Sequence, residues 1–296
     1  MDPKTIWICS PDLFLLERWD ENSPLSLDAQ REKLFTEYVS LGIRGRKPYQ
    51  DQKKQRGISK ASDLTPQEQD LLSRVRHFPT ERQTPAERLW LRTCYQPSSD
   101  AAFSRIETHL ELKGGIEPIL NDASLYNFGP DWQKIFILMP QLLESGPAEE
   151  YEQRVKEALD SGIEAEAEDA ELAEEDGYDP DEDGLPWPCF YGQYHMALII
   201  GRIYIIDAKT LASEGRNAGK VLAVWYDECG RVIRSYRQTA DNAADYHYLD
   251  DCYLTEHACW ANATIGKEYQ WGASLGPPYG EDSSEEDEKD GEESKE

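Results

Sequence analysis

Residues 196–237 read MALIIGRIYIIDAKTLASEGRNAGKVLAVWYDECGRVIRSYR, and this stretch decides the fold. Three apolar runs stand in it, at 197–206, 221–226 and 231–236. Val, Ile and Tyr dominate them, residues whose branched or ring side chains pack well on a pleated surface. Asp227-Glu228-Cys229-Gly230 separates the last two runs. Gly230 takes positive φ at little cost, so the block predicts a hairpin with a loop of three or four residues. The connection 208–220 holds Ser213, Gly215, Asn217 and Gly219 and reads as a longer polar loop. Strand side chains alternate. Val232, Arg234 and Tyr236 therefore share one face and Ile233, Ser235 and Arg237 the other, a mixture that fits an edge strand. The run 197–206 is apolar on both faces except for Arg202, which fits the centre of a sheet. The reading is an antiparallel sheet of three or more strands, opened by residues 187–194.

Upstream of this stretch the period changes from two to about 3.6. Ser26 precedes an apolar stripe of Leu27, Leu34, Tyr38 and Leu41, with Gly42 placed as a C-cap. Thr65-Pro66-Gln67-Glu68 and Thr84-Pro85-Ala86-Glu87 share the pattern T-P-x-E. Threonine caps the amide at N3, proline sits at N1 without losing a bond, and the glutamate bonds back. They predict short helices over 66–77 and 85–95. Helices are also expected over 100–112, 132–144 with a break at Pro140, and 148–159. Thr5 to Cys9 has strand composition. Residues 44–60, RGRKPYQDQKKQRGISK, carry seven Lys/Arg against Asp51 and show no apolar period, so they read as a flexible basic loop.

The expected architecture is α+β, a helix-rich N-terminal half packed on a C-terminal antiparallel sheet, with segregated helices and strands. The regions are a mainly helical one at 1–160, an acidic linker at 161–186, the sheet region at 187–275, and a disordered acidic tail at 276–296. The formal net charge is −27. Residues 164–183 hold twelve acids and no base, and residues 281–296 ten acids and two lysines; these runs account for −20 and leave −7. Like-charge repulsion keeps such runs extended and solvated.

Six cysteines, at 9, 94, 189, 229, 252 and 259, are too scattered for a disulfide framework. No apolar segment has the length of a membrane span, so no membrane association is expected. A reducing, cytoplasmic or nuclear compartment follows from the free thiols. P-loop, dinucleotide, G-x-S-x-G and H-E-x-x-H patterns do not occur, and no cofactor is expected. Residues 246–261 hold the densest set of reactive groups, His247, Asp250, Asp251, Cys252, His257 and Cys259. His247, Cys252, His257 and Cys259 are candidate zinc ligands, although H-x4-C-x4-H-x-C matches none of the usual paired spacings. Cys189 with His195, and Cys252 with His247 or His257, are the thiol–imidazole pairs that a cysteine-dependent enzyme would need. The leading expectation is a non-enzymatic interaction protein whose partner is a protein, a basic one if the acidic runs are what it meets. Weak nucleic-acid binding through 44–60 is an alternative, and the chain's two acidic runs are expected to mask that segment loosely.

Overall fold

The computed structural model describes residues 6–76, 88–112, 119–144, 146–161, 187–245, 262–270 and 272–276. The chain is an α+β protein. Its helices are α1 (Ser10–Arg18), α2 (Leu27–Ser40), α3 (Gly42–Arg56), α4 (Pro66–Val75), α5 (Asp100–Leu112), α6 (148–161), α7 (Trp187–Leu198) and α8 (Ala240–Asp245). Its strands are β1 (Arg88–Arg92), β2 (Gly201–Ile206), β3 (Lys220–Tyr226), β4 (Val232–Thr239) and β5 (Thr264–Ile265), in spatial order β1-β2-β3-β4-β5. The 227–230 hairpin joins β3 to β4 as its sequence predicts. Gly230 has φ +74° and its amide donates to the Asp227 carbonyl.

The sheet is mixed rather than purely antiparallel, because β1 runs parallel to β2. β2 is interior, as its two-sided apolar character requires. β4 lies next to the edge rather than at it, with β5 paired only to Arg234 and Ser235 among the described residues. One face carries Trp90, Tyr204, Ile206, Val221, Ala223 and Trp225 against Phe103, Ile106 and Leu110 of α5 and Ala243 of α8. The other carries Leu89, Leu91, Ile203, Ile205, Val224 and Tyr226 against the segment from Leu120 to Leu143. That segment is a chain of single helical turns interrupted at Pro140, where an amide is missing. Outside it, α1 to α4 form a further layer around Phe14, Phe35, Tyr38, Tyr49 and Val75, with Ile137 packed against them.

Three readings of the sequence are corrected. Residues 44–56 belong to helix α3, not to a loop. Its buried face is Ile43, Arg46 and Tyr49, spaced by three, and an arginine in the middle of that face hides the apolar period. Pro48 lies inside the helix. Three of its cations are paired: Lys47 with Glu149 at 2.5 Å, Arg44 with Glu152, and Arg56 with Glu68 at 2.8 Å. Residues 88–92 form a strand where a helix was expected. Leu89 and Leu91 face one core and Trp90 the other, the alternation of a strand. Residues 187–194 lie in helix α7, so the sheet region opens with a helix and β2 starts only at Gly201. Trp7, within the stretch of strand composition at 5–9, makes an isolated bridge to Lys60.

Candidate functional site

α1, α3 and α4 enclose a groove of about 750 Å³. Its helices are placed by their termini. α4 starts on the 65–68 box: the Glu68 amide donates to Thr65 Oγ1 at 3.3 Å, and the Thr65 amide donates to Glu68 Oε2 at 2.8 Å. α3 ends at Gly57, whose φ of +64° closes the helix. α1 starts with the Asp12 carboxylate accepting the Cys9 amide at 2.8 Å. Leu13, Leu16 and Leu71 supply the apolar part of the groove. Glu17, Glu21, Glu68 and Asp70 line it with four carboxylates, against two guanidiniums from Arg56 and Arg74. Arg74 grips Glu21 at 2.7 and 3.3 Å, which holds that carboxyl below its ordinary range. Burial works to raise Glu68, but the Thr65 amide and Arg56 outweigh it and its carboxyl is also held low. Glu17, Glu21 and Asp70 retain 51%, 57% and 71% of their side-chain exposure. The groove therefore presents accessible negative charge beside apolar surface. Gln52 also lines it, and its Oε1 has no hydrogen-bond partner among the described residues.

Beneath α1 lies a buried ionisable group. Asp12 is fully covered, with Arg76 Nε 3.4 Å from Oδ1 and Glu144 nearby accepting the Ser10 amide at 2.6 Å. Burial pushes the Asp12 carboxyl up to about 6, and Arg76 and the Cys9 amide only partly oppose it. Its ordinary value is 3.8. The folded chain thus binds this proton more tightly than the unfolded one, so the contribution is full below pH 3.8 and lost as pH rises through 6. Relative to Asp12→Asn, wild-type stability should be roughly 2–3 kcal/mol greater at pH 4 than at pH 7. Urea unfolding of both proteins at the two pH values measures this; a difference that does not change with pH would show that Asp12 titrates normally.

A second polar network fastens the sheet. Asp227, 1% exposed, accepts the amides of Cys229 and Arg231 at 2.9 and 2.7 Å, Arg231 Nε at 2.7 Å, and the Tyr269 hydroxyl. His195 of α7 accepts Arg234 Nε on Nδ1 at 3.0 Å and meets the Tyr269 carbonyl through Nε2 at 3.3 Å. That fixes the tautomer with the proton on Nε2, since Nδ1 must accept. The next hairpin residue joins the sheet to the helices. The Glu228 carboxylate accepts the Ile43 amide at the start of α3, and the Glu228 carbonyl accepts Arg46 Nη2 at 2.6 Å.

Of the residues singled out in the sequence, His195 is committed to this network, and Cys189 lies in α7 with its side chain outside those described. His247, Asp250, Asp251, Cys252, His257 and Cys259 lie outside the described residues, as do the 84–87 box, residues 162–186 and residues 277–296. Among the described residues no group of three metal-ligating side chains converges, and no helix is long and apolar enough to cross a membrane. The groove was missed because α1 was not read as a helix; Pro11 followed by Asp12 is the start signal it carries. No known protein family, curated protein or solved structure matches the chain.

Proposed function

We propose that the chain is a non-enzymatic interaction protein that receives a basic, partly apolar segment of a partner protein in the α1–α3–α4 groove. One observation carries this: an apolar lining edged by four carboxylates against two guanidiniums, with three of the carboxylates well exposed. Lysine or arginine on the partner would exchange with Arg56 and Arg74 for these carboxylates. Exposed pairs are worth only about 0–1 kcal/mol each, so such an exchange is accessible. The apolar contact supplies the affinity and the charges supply the choice of partner.

Fluorescence anisotropy tests it with a labelled peptide of leucines and lysines at helical spacing and with its leucine–glutamate counterpart. The lysine peptide should bind the full-length protein, more weakly as salt rises, and the glutamate peptide should not. Leu71→Asp should weaken binding at least tenfold. Glu17→Gln with Asp70→Asn, both at exposed positions, should weaken it severalfold with an unchanged unfolding midpoint. Equal binding of both peptides, or binding indifferent to all three substitutions, would overturn the proposal.

A further inference from the structure

A second opening lies where the first residue of α1, the last turns of α3 and the stretch entering α6 meet. This cleft has a volume of about 430 Å³. Gln50, Lys53 and Lys54 line it from one stripe of α3, and Ser10, Glu144 and Pro147 line it from the other two elements. Elsewhere on α3, Arg44, Lys47 and Arg56 are each paired with a carboxylate. Lys53, half-buried, and Lys54, exposed, are not. Among the described residues neither ammonium has an ion pair or a hydrogen bond. In a chain of net charge −27, two unmatched cations at one cleft stand out. Glu144 is the one acid in the described lining, and its Oε1 is taken by the Ser10 amide at 2.6 Å. Glu149, at the start of α6, is held by Lys47. Asp12 is fully covered under α1, between Arg76 and the Cys9 amide. The Lys53 and Lys54 carbonyls accept the Ile58 and Gly57 amides, so these two acceptors at the end of α3 are satisfied.

A lysine ammonium is a compact point charge with three donors, and it binds phosphate in that form. The cleft's volume falls within the range of small-ligand pockets. We propose that the cleft binds a small phosphate monoester, with Lys53 and Lys54 meeting the phosphate oxygens and the Gln50 side-chain amide donating to the group the phosphate carries. A phosphate monoester on a hydroxyl carries about 1.5–2 negative charges at pH 7, which two lysines balance. A carboxylate brings one charge and leaves one lysine unmet. The cleft and the α1–α3–α4 groove are lined by different residues, so this site does not depend on what the groove binds.

Glycerol phosphate serves as the probe, titrated calorimetrically into the full-length protein at fixed ionic strength with chloride as the balancing anion. Acetate and glycerol are the controls. The expected result is saturable binding of glycerol phosphate, about fivefold weaker binding of acetate, the worth of one exposed ion pair, and none of glycerol. Lys53→Gln with Lys54→Gln should remove the saturable heat while leaving the urea midpoint nearly unchanged, since neither ammonium has a partner to lose. Lys53→Arg with Lys54→Arg keeps both charges and should still bind. Lys33→Gln with Lys209→Gln, at exposed positions outside the cleft, removes the same charge and should bind as wild type does. The proposal falls if wild type shows no saturable heat, the result expected if the chain's own acidic runs already fill the cleft. It falls equally if acetate binds as tightly as glycerol phosphate, or if the Lys33–Lys209 variant loses binding as fully as the Lys53–Lys54 variant.

Discussion

Replacing Asp227 with alanine is expected to lower the unfolding free energy by about 3–5 kcal/mol, the range for removing one partner of a buried, hydrogen-bonded charge. Four donors converge on this one carboxylate: the Cys229 and Arg231 amides, Arg231 Nε and the Tyr269 hydroxyl. Arg231 keeps 37% of its side-chain exposure and can return to water. The Tyr269 hydroxyl cannot, since Tyr269 is 2% exposed and would be left a buried donor. The two amides shape the hairpin, so losing their acceptor also frees the turn that sets the β3–β4 register. Asp227→Asn keeps one acceptor oxygen and should recover part of the loss. Equilibrium urea unfolding of the three proteins gives the comparison. A loss below about 1 kcal/mol in the alanine variant would show that the turn holds itself and the carboxylate is dispensable.

Acid should act on this protein through His195. Burial first, and then the positive charge of Arg234, push the imidazole from an ordinary 6.5 down to about 3, against a small opposing pull from the Tyr269 carbonyl. The unfolded chain therefore takes up a proton that the folded one refuses. The histidine's contribution is full above pH 6.5 and is lost as pH falls toward 3, at about 1.4 kcal/mol per pH unit and on the order of 4–5 kcal/mol in all. Asp12 works in the opposite sense between pH 6 and 3.8, so the two nearly cancel in the wild-type protein over that interval. Comparison with His195→Gln removes this masking. Glutamine can accept from Arg234 and donate to the Tyr269 carbonyl without titrating. Relative to that variant, wild type should lose about 1.4 kcal/mol per pH unit from pH 6 downward. Parallel stability profiles would mean that the imidazole becomes protonated inside the fold.

Where local chemistry and final environment agree, the sequence reading and the structure coincide. The 65–68 box, the break at Pro140, the glycine of the 227–230 turn and the two-sided apolar strand β2 all act within a few residues. The errors came where a distant partner decides. RLWLR at 88–92 followed a helix-start motif, yet β2 recruits it as a parallel strand and the alternation of Leu89, Trp90 and Leu91 is what survives. α3 looked like a basic loop because the partners of its charges, Glu68, Glu149 and Glu152, are far away in sequence and because buried Arg46 occupies an apolar position. The groove was illegible for the same reason: three separated segments supply it, and none is distinctive alone.

The parallel pairing of β1 with β2 also sets a timetable for synthesis. Its first register pair, Arg88 and Arg202, is separated by 114 positions (202 against 88). The β3–β4 hairpin closes over a few residues and can form as soon as it is made. β1 has no such hairpin partner: Leu120, bridged to Leu91, comes 29 positions later (120 against 91), and the pairing with β2 is slow because the intervening loop must close first. At ordinary translation speeds β1 waits on the order of ten seconds before the ribosome has made its neighbour. Throughout that interval Leu89, Trp90 and Leu91 lack their β2 neighbour and have only the bridge at Leu120, which leaves an apolar strand edge of the kind that joins other chains when uncovered. Chains halted before Ile206 are thus the forms of this protein most exposed to aggregation and most in need of a chaperone.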